Sequence, residues 1–109
     1  MKKNKKAKKL TLIEVAHEMA KDFYEAKIID ATTMREFDTL CLPPVENLSP
    51  NQIKKIRLRE HVSQPVFAKY LNTSTSTVKQ WEQGEKHPRG TSLKLLNLVK
   101  DKGLAILVV

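Results

Sequence analysis

Four residues dictate the shape of SQPVFAKYLNTSTSTVKQWEQGEKHP, residues 63–88: Ser63, Asn72, Ser74 and Gly84. Ser63 suits an N-cap, and Gln64 and Pro65 follow in a first turn where proline's missing N–H costs nothing. Asn72 tolerates the left-handed conformation of a tight turn, Ser74 can cap a second helix, and Gly84 suits the position just past its end. One continuous helix cannot run through that punctuation, so the stretch is expected to form two short helices joined by a turn. The first carries Val66, Phe67, Ala68, Tyr70 and Leu71 as its apolar side, whereas the second has Val78 and Trp81 at helical spacing. At about 100° per residue, Ser76, Lys79, Gln80 and Gln83 share the face opposite Val78 and Trp81, with Thr75 at its N-terminal rim. One face packs and the other presents hydrogen-bonding groups.

Ser and Thr are poor helix formers, so their concentration on one helix needs a reason. A solvated face of a helical bundle is the plain explanation. The chemistry also fits a helix-turn-helix whose second helix enters the DNA major groove: Gln can pair in bidentate fashion with adenine, and Ser or Thr can hydrogen-bond base edges or touch a thymine methyl.

The stretch IRLREHVSQPVFAKYLNTSTSTVKQWEQGEKHP resembles the helix-turn-helix of the phage-repressor-like (XRE) family. It has Arg in the first helix, Ser-Gln opening the second, a Ser/Thr-rich recognition helix, then Trp-Glu-x-Gly and a Pro. The resemblance implies that Thr75, Ser76, Lys79 and Gln80 read bases, that Gln64 and Ser74 approach phosphates at helix N-termini, and that Arg57 pairs with Glu82 inside the fold. Lys86 and Arg89, just beyond the recognition helix, join Gln64 and Ser74 as expected phosphate contacts. Asn72 departs from the pattern, since many relatives carry Gly there.

Charge is distributed unevenly. The formal net charge of +8 resolves into +6 over residues 1–9, −5 over residues 10–47 and +7 over residues 48–109. A basic C-terminal part suits phosphate binding, while an acidic middle would be repelled by the same DNA and needs another use. With 109 residues, 40% of them apolar, the chain can support one small core, so an oligomer, expected to be a homodimer, would add stability.

The opening MKKNKKAKK, residues 1–9, is expected to be a basic, disordered tail. Residues 10–42 change character: Leu12, Ala16, Met19 and Phe23, with Ile13, Ala20 and Tyr24 alongside, recur at helical spacing behind a Thr11 cap. Asp30 looks like the cap of a second, shorter helix with Met34, Phe37 and Leu40 on one side. Pro43, Pro44 and Pro50 mark a linker at 43–49, followed by a helix-turn-helix domain at 50–109. That domain should open with a helix from Pro50 to Glu60 burying Ile53 and Ile56, with Leu58 beside them. It should end with a helix from Thr91 to Lys102 whose stripe is Leu93, Leu96 and Val99 or Leu95, Leu98 and Val99. Beyond Gly103, LAILVV is costly in water and must pack on the core, on a second subunit or on another protein. The expected fold is all-α: a five-helix repressor-like helix-turn-helix domain preceded by an N-terminal helical extension.

The whole arrangement is similar to small antitoxins of the HigA type, in MREFDTLCLPPVENLSPNQIKKIRLRE joined to STSTVKQWEQGEKHPRGTSLKLLNLV. That similarity implies a transcriptional autorepressor, binding a palindromic operator in double-stranded DNA, that also neutralises an mRNA-cleaving toxin of the RelE and HigB kind. The acidic segment would then compete for the surface with which such a toxin holds RNA, with Ile13, Met19, Phe23, Tyr24, Met34 and Phe37 as contacts. Two other readings stand beside it: a plain regulator whose N-terminal helices dimerise or sense a ligand, and an RNA-binding or structural adaptor. No combination of nucleophile, base and orienting group can be assembled, so no enzyme, cofactor or metal is expected. Cys41 stands alone and reads as a small buried thiol, and His17, His61 and His87 are too scattered for zinc. There is no apolar run of membrane-spanning length, and the lysine-rich start lacks a secretory h-region, so a cytoplasmic location is expected.

Overall fold

The computed structural model describes residues 11–108, so the lysine-rich tail expected at residues 1–9 lies outside the described residues. The described residues form helices and turns only and divide into two compact units, with the boundary between Pro44 and Val45.

The first unit is a pair of helices, α1 (Leu12–Glu25) and α2 (Ala31–Thr39), packed against each other. Thr11 and Glu14 form a capping box at the start of α1: the Thr11 hydroxyl accepts from the Glu14 N–H at 3.0 Å, and the Glu14 carboxylate accepts from the Thr11 N–H at 2.9 Å. At the other end Lys27 adopts φ +63°, the Ile28 N–H reaches back to the Phe23 carbonyl at 2.8 Å, and the Lys27 N–H reaches that of Tyr24 at 3.0 Å. This is a Schellman ending with a lysine where glycine is usual. The Asp30 carboxylate then accepts from the Thr33 N–H at 2.8 Å and starts α2. Only Ala20 and Met34, one from each helix, are buried among the described residues of this unit. A polar tie supplements them, His17 Nε2 donating to Asp38 Oδ1 at 2.7 Å while Arg35 pairs with the other Asp38 oxygen.

The second unit comprises α3 (Pro50–Arg59), α4 (Gln64–Leu71), α5 (Thr75–Gln83), α6 (Gly90–Lys102) and a closing 3-10 helix (Leu104–Leu107). The sequence expectation was five helices; four are α-helical, and the fifth element is this single 3-10 turn. Each of α3, α4 and α5 starts at a serine, Ser49, Ser63 and Ser74 respectively, whose hydroxyl accepts a backbone N–H three residues on. Phe67, Ile53, Leu96, Val78 and Val99 are fully enclosed, with Leu48, Ile56, Ala68, Leu71, Trp81 and Leu104 completing the core. The α6 stripe is centred on Leu96 and Val99, with Leu93 and Leu95 packed at its edges.

Several expectations are corrected. Leu58 is exposed, and its neighbour Arg57 occupies the buried position on α3. Val66 and Tyr70 are also exposed, because α4 buries only the narrower face of Phe67, Ala68 and Leu71. Cys41 is exposed rather than buried, as it follows the end of α2 with no packing layer above it. The C-terminal LAILVV divides between the alternatives left open for it: Leu104 is buried and Leu107 packs on the core, while Ile106 and Val108 are exposed on this chain.

The segment expected to be a linker also has structure from Val45 on: Leu48 is in the core of the second unit, and Glu46 is held by α6. The Glu46 N–H donates to Asn97 Oδ1 and its carbonyl accepts from Asn97 Nδ2, both at 3.0 Å, while Lys100 Nζ reaches the Glu46 carboxylate at 2.7 Å.

Candidate nucleic-acid interface

The position of α5 is set by a left-handed residue at each end. Asn72 takes φ +57° and ψ +47°, so the chain reverses between α4 and α5 without a glycine, and Gly84 takes φ +80° to end α5. Val78 and Trp81 anchor α5 in the core. The opposite face follows from helical periodicity: Ser76, Lys79 and Gln83 are exposed, and Thr75 and Gln80 are half-buried at its margins. Ser76, Lys79 and Gln80 thus occur together on an outward face, with Thr75 at its N-terminal rim. The Ser74 hydroxyl is engaged locally, accepting from the Thr77 N–H at 3.1 Å and contacting the Thr77 hydroxyl at 2.8 Å. Any ligand at this N-terminus would therefore meet backbone N–H groups in preference to the serine oxygen.

Behind α5 lies a charge-assisted network. Arg57 Nε donates to Glu82 Oε2 at 2.7 Å and Nη2 donates to Oε1 at 3.0 Å, a bidentate pair with the side chains only 10% and 5% exposed. The third guanidinium nitrogen donates to the Val62 carbonyl at 3.0 Å, and Gln64 Nε2 donates to Glu82 Oε1 at 3.1 Å. One carboxylate on α5 therefore ties that helix to α3 and to the first residue of α4, and the guanidinium it holds reaches on to the turn before α4. Gln64 is half-buried and commits one hydrogen of its amide nitrogen to Glu82, leaving a second N–H and the carbonyl oxygen free of that bond. Lys86 and Arg89 are exposed on the segment between α5 and α6, and Arg89 is the residue preceding α6.

Of the residues expected to meet a protein partner, Ile13, Met19, Phe23 and Tyr24 are exposed on α1, Phe37 is half-buried and Met34 is enclosed in the helix pair. A second polar cluster, absent from the sequence expectations, closes the C-terminal part of the second unit. Arg59 donates to the carbonyls of Val99 at 2.8 Å and Lys100 at 3.1 Å, satisfying the C-terminal end of α6. The adjacent Glu60 accepts from the Leu104 N–H at 3.0 Å, which holds its carboxyl below the usual range, helped by Arg59. Gly103 between them has φ +80° and ψ +170°, a conformation essentially confined to glycine. These contacts join residues about forty positions apart, and no local pattern announces them.

Comparison with known proteins defines the class first: residues 53–99 match the helix-turn-helix family model. The match lies wholly within the second unit and runs from α3 into α6, so it includes both α4 and α5. A particular relative then stands out. Antitoxin HigA-2 of Vibrio cholerae serotype O1 is 44% identical to this chain over 54 residues, which cover 50% of this chain and 52% of that protein. The similarity thus spans about half the length of the curated relative. No helix among the described residues is long and apolar enough to cross a membrane.

Proposed function

We propose that this chain is a dimeric, cytoplasmic, sequence-specific repressor that is also the antitoxin of a toxin-antitoxin pair, reading its operator with α5 and neutralising a RelE- or HigB-like toxin with its N-terminal unit. The observation that carries DNA reading is the outward face of α5, where Thr75, Ser76, Lys79 and Gln80 surround hydrogen-bonding capacity suited to base edges, on a helix fixed from behind by Arg57 and Glu82. Gln64, Ser74, Lys86 and Arg89 are assigned to phosphates, the last two as exposed cations and the first two through the N-terminal ends of their helices. Charge supports the division of labour, since residues 48–109 carry +7 and residues 10–47 carry −5.

The antitoxin part rests on the similarity to Antitoxin HigA-2 and on the acidic first unit with its uncovered apolar side chains. Two copies are required because one such helix reads only a few base pairs, so specificity calls for half-sites about 34–36 Å apart or a multiple of that spacing. The test is a footprint on the upstream region of the chain's own operon combined with a growth assay against the toxin encoded there. A palindromic footprint and protection by the full chain are expected. A chain beginning at Val45 should keep the footprint and lose protection; full protection by that shorter chain contradicts neutralisation by the N-terminal unit.

A further inference from the structure

The first unit leaves one particular stripe of α1 uncovered. Leu12, Val15, Met19 and Phe23, spaced by three, four and four residues, fall on one line along the helix and are 88%, 40%, 52% and 43% exposed. On one side the stripe borders the Ala16 and Ala20 flank, where Ala20 is buried and α2 packs. On the other side it borders an acidic row, because Glu14, Glu18, Asp22 and Glu25 fall on the adjoining part of the helical circumference and are all exposed. An apolar stripe with a single-sign charged rim is the form of a helix that lies in a partner's groove.

Resting on the reading that the chain neutralises a basic protein, we propose that the Leu12–Val15–Met19–Phe23 stripe seats in an apolar groove of that protein, with Lys or Arg side chains of the groove's rim facing Glu18 and Asp22. Charge selects this occupant. Residues 11–44 hold seven acidic and three basic side chains, so a second copy laid on the stripe would bring like charge to like. A basic partner is attracted by the same row that repels the copy. Met34 is enclosed and Ile13 and Tyr24 sit toward the α2 side, so the lasting contacts belong to Met19 and Phe23, flexible and aromatic anchors near the middle and end of the stripe.

The experiment measures binding of the full chain to the purified RelE- or HigB-like toxin encoded beside it, with helicity followed for every variant. Met19→Lys and Phe23→Lys are expected to weaken binding by about 100-fold, with Met19→Ala and Phe23→Ala as milder versions that introduce no charge. Thr32→Ala, at an exposed position on α2, should stay within about threefold of the parent chain, while Glu18→Lys combined with Asp22→Lys should slow association by about tenfold and flatten its salt dependence. If the parent chain binds the toxin and the Met19 and Phe23 variants bind equally well, the stripe assignment is overturned while neutralisation stands. A parent chain that does not bind the toxin overturns the neutralisation reading itself, and the assignment falls with it. Should the stripe substitutions turn a dimer into a monomer in ultracentrifugation while leaving toxin binding intact, the occupant is a second copy and the proposal is likewise overturned.

Discussion

The two units bury their apolar residues very differently. In the second, Phe67, Ile53, Leu96, Val78 and Val99 are enclosed together and a bidentate ion pair spans the layers, whereas in the first Ala20 and Met34 alone are buried among the described residues. The first unit nonetheless contains Leu12, Ile13, Val15, Met19, Phe23, Tyr24 and Ile28, all exposed. Local signals are good in both: a capping box opens α1 as surely as one opens α3. What separates them is tertiary packing, the source of most helical stability in proteins. A capped helix pair with little core keeps its apolar surface for something else; a unit with a closed core can devote its polar surface to recognition.

The sharpest test of that contrast is the Arg57–Glu82 pair. Arg57→Ala strands the Glu82 carboxylate, which is only 5% exposed, and should cost about 3–5 kcal/mol of the second unit's stability. Thermal unfolding reads the effect. An unchanged midpoint with lost DNA binding would move Arg57 from the interior to the phosphate contacts. The corresponding tie of the first unit, Asp38 with His17 and Arg35, is solvent-accessible, and Asp38→Asn should leave the midpoint of the second unit where it was.

A smaller loss is expected at the edge of the second unit. Asn97→Ala removes three bonds, two to the Glu46 backbone and one to the Leu93 carbonyl at 2.9 Å, and should cost about 1–3 kcal/mol. Hydrogen exchange at Glu46 should accelerate alongside; protection that persists would show that Leu48 alone holds this segment.

The smallest effect is electrostatic. Glu60 and Glu46 both titrate below the ordinary 4.5, Glu60 because the Leu104 N–H and then Arg59 stabilise its charge, Glu46 because of Lys100. A carboxylate with a depressed folded-state pKa adds stability that is fully present above its unfolded value and is lost as pH falls through the folded one. The second unit should therefore lose a modest increment on acidification below about pH 4.5, with Glu60→Gln reducing that slope in thermal melts. Lys100 is raised above 10.5 by Glu46, so its share of the same tie is present at neutral pH and fades only at alkaline pH, through its folded value.

Much of the architecture is legible in the sequence because caps are local. Thr11, Asp30, Ser63 and Ser74 each bond an N–H three residues away, and the left-handed Asn72 and Gly84 lie where helical periodicity stops. The outward face of α5 follows from periodicity alone. Burial is less legible where an ion pair competes with a hydrocarbon: nothing local on α3 says that Arg57 goes in and Leu58 stays out, since the decision rests with Glu82, 25 residues away. The Asn97 clasp on Glu46 joins residues 51 apart, and the folding of residues 45–48 onto α6 is hidden behind prolines that read as a linker. Which residues of LAILVV face the core is not legible either: in one 3-10 turn, Leu104 and Leu107 go to the core while Ile106 between them stays exposed.

The central claim is that the outward face of α5 reads base sequence, and the direct measurement is the affinity of Gln80→Ala and Ser76→Ala for operator and for unrelated DNA at one fixed salt concentration. Each substitution should weaken operator binding by about 1–3 kcal/mol and leave binding to unrelated DNA nearly unchanged. Equal losses on both DNAs, or no loss on either, would contradict base reading by this face.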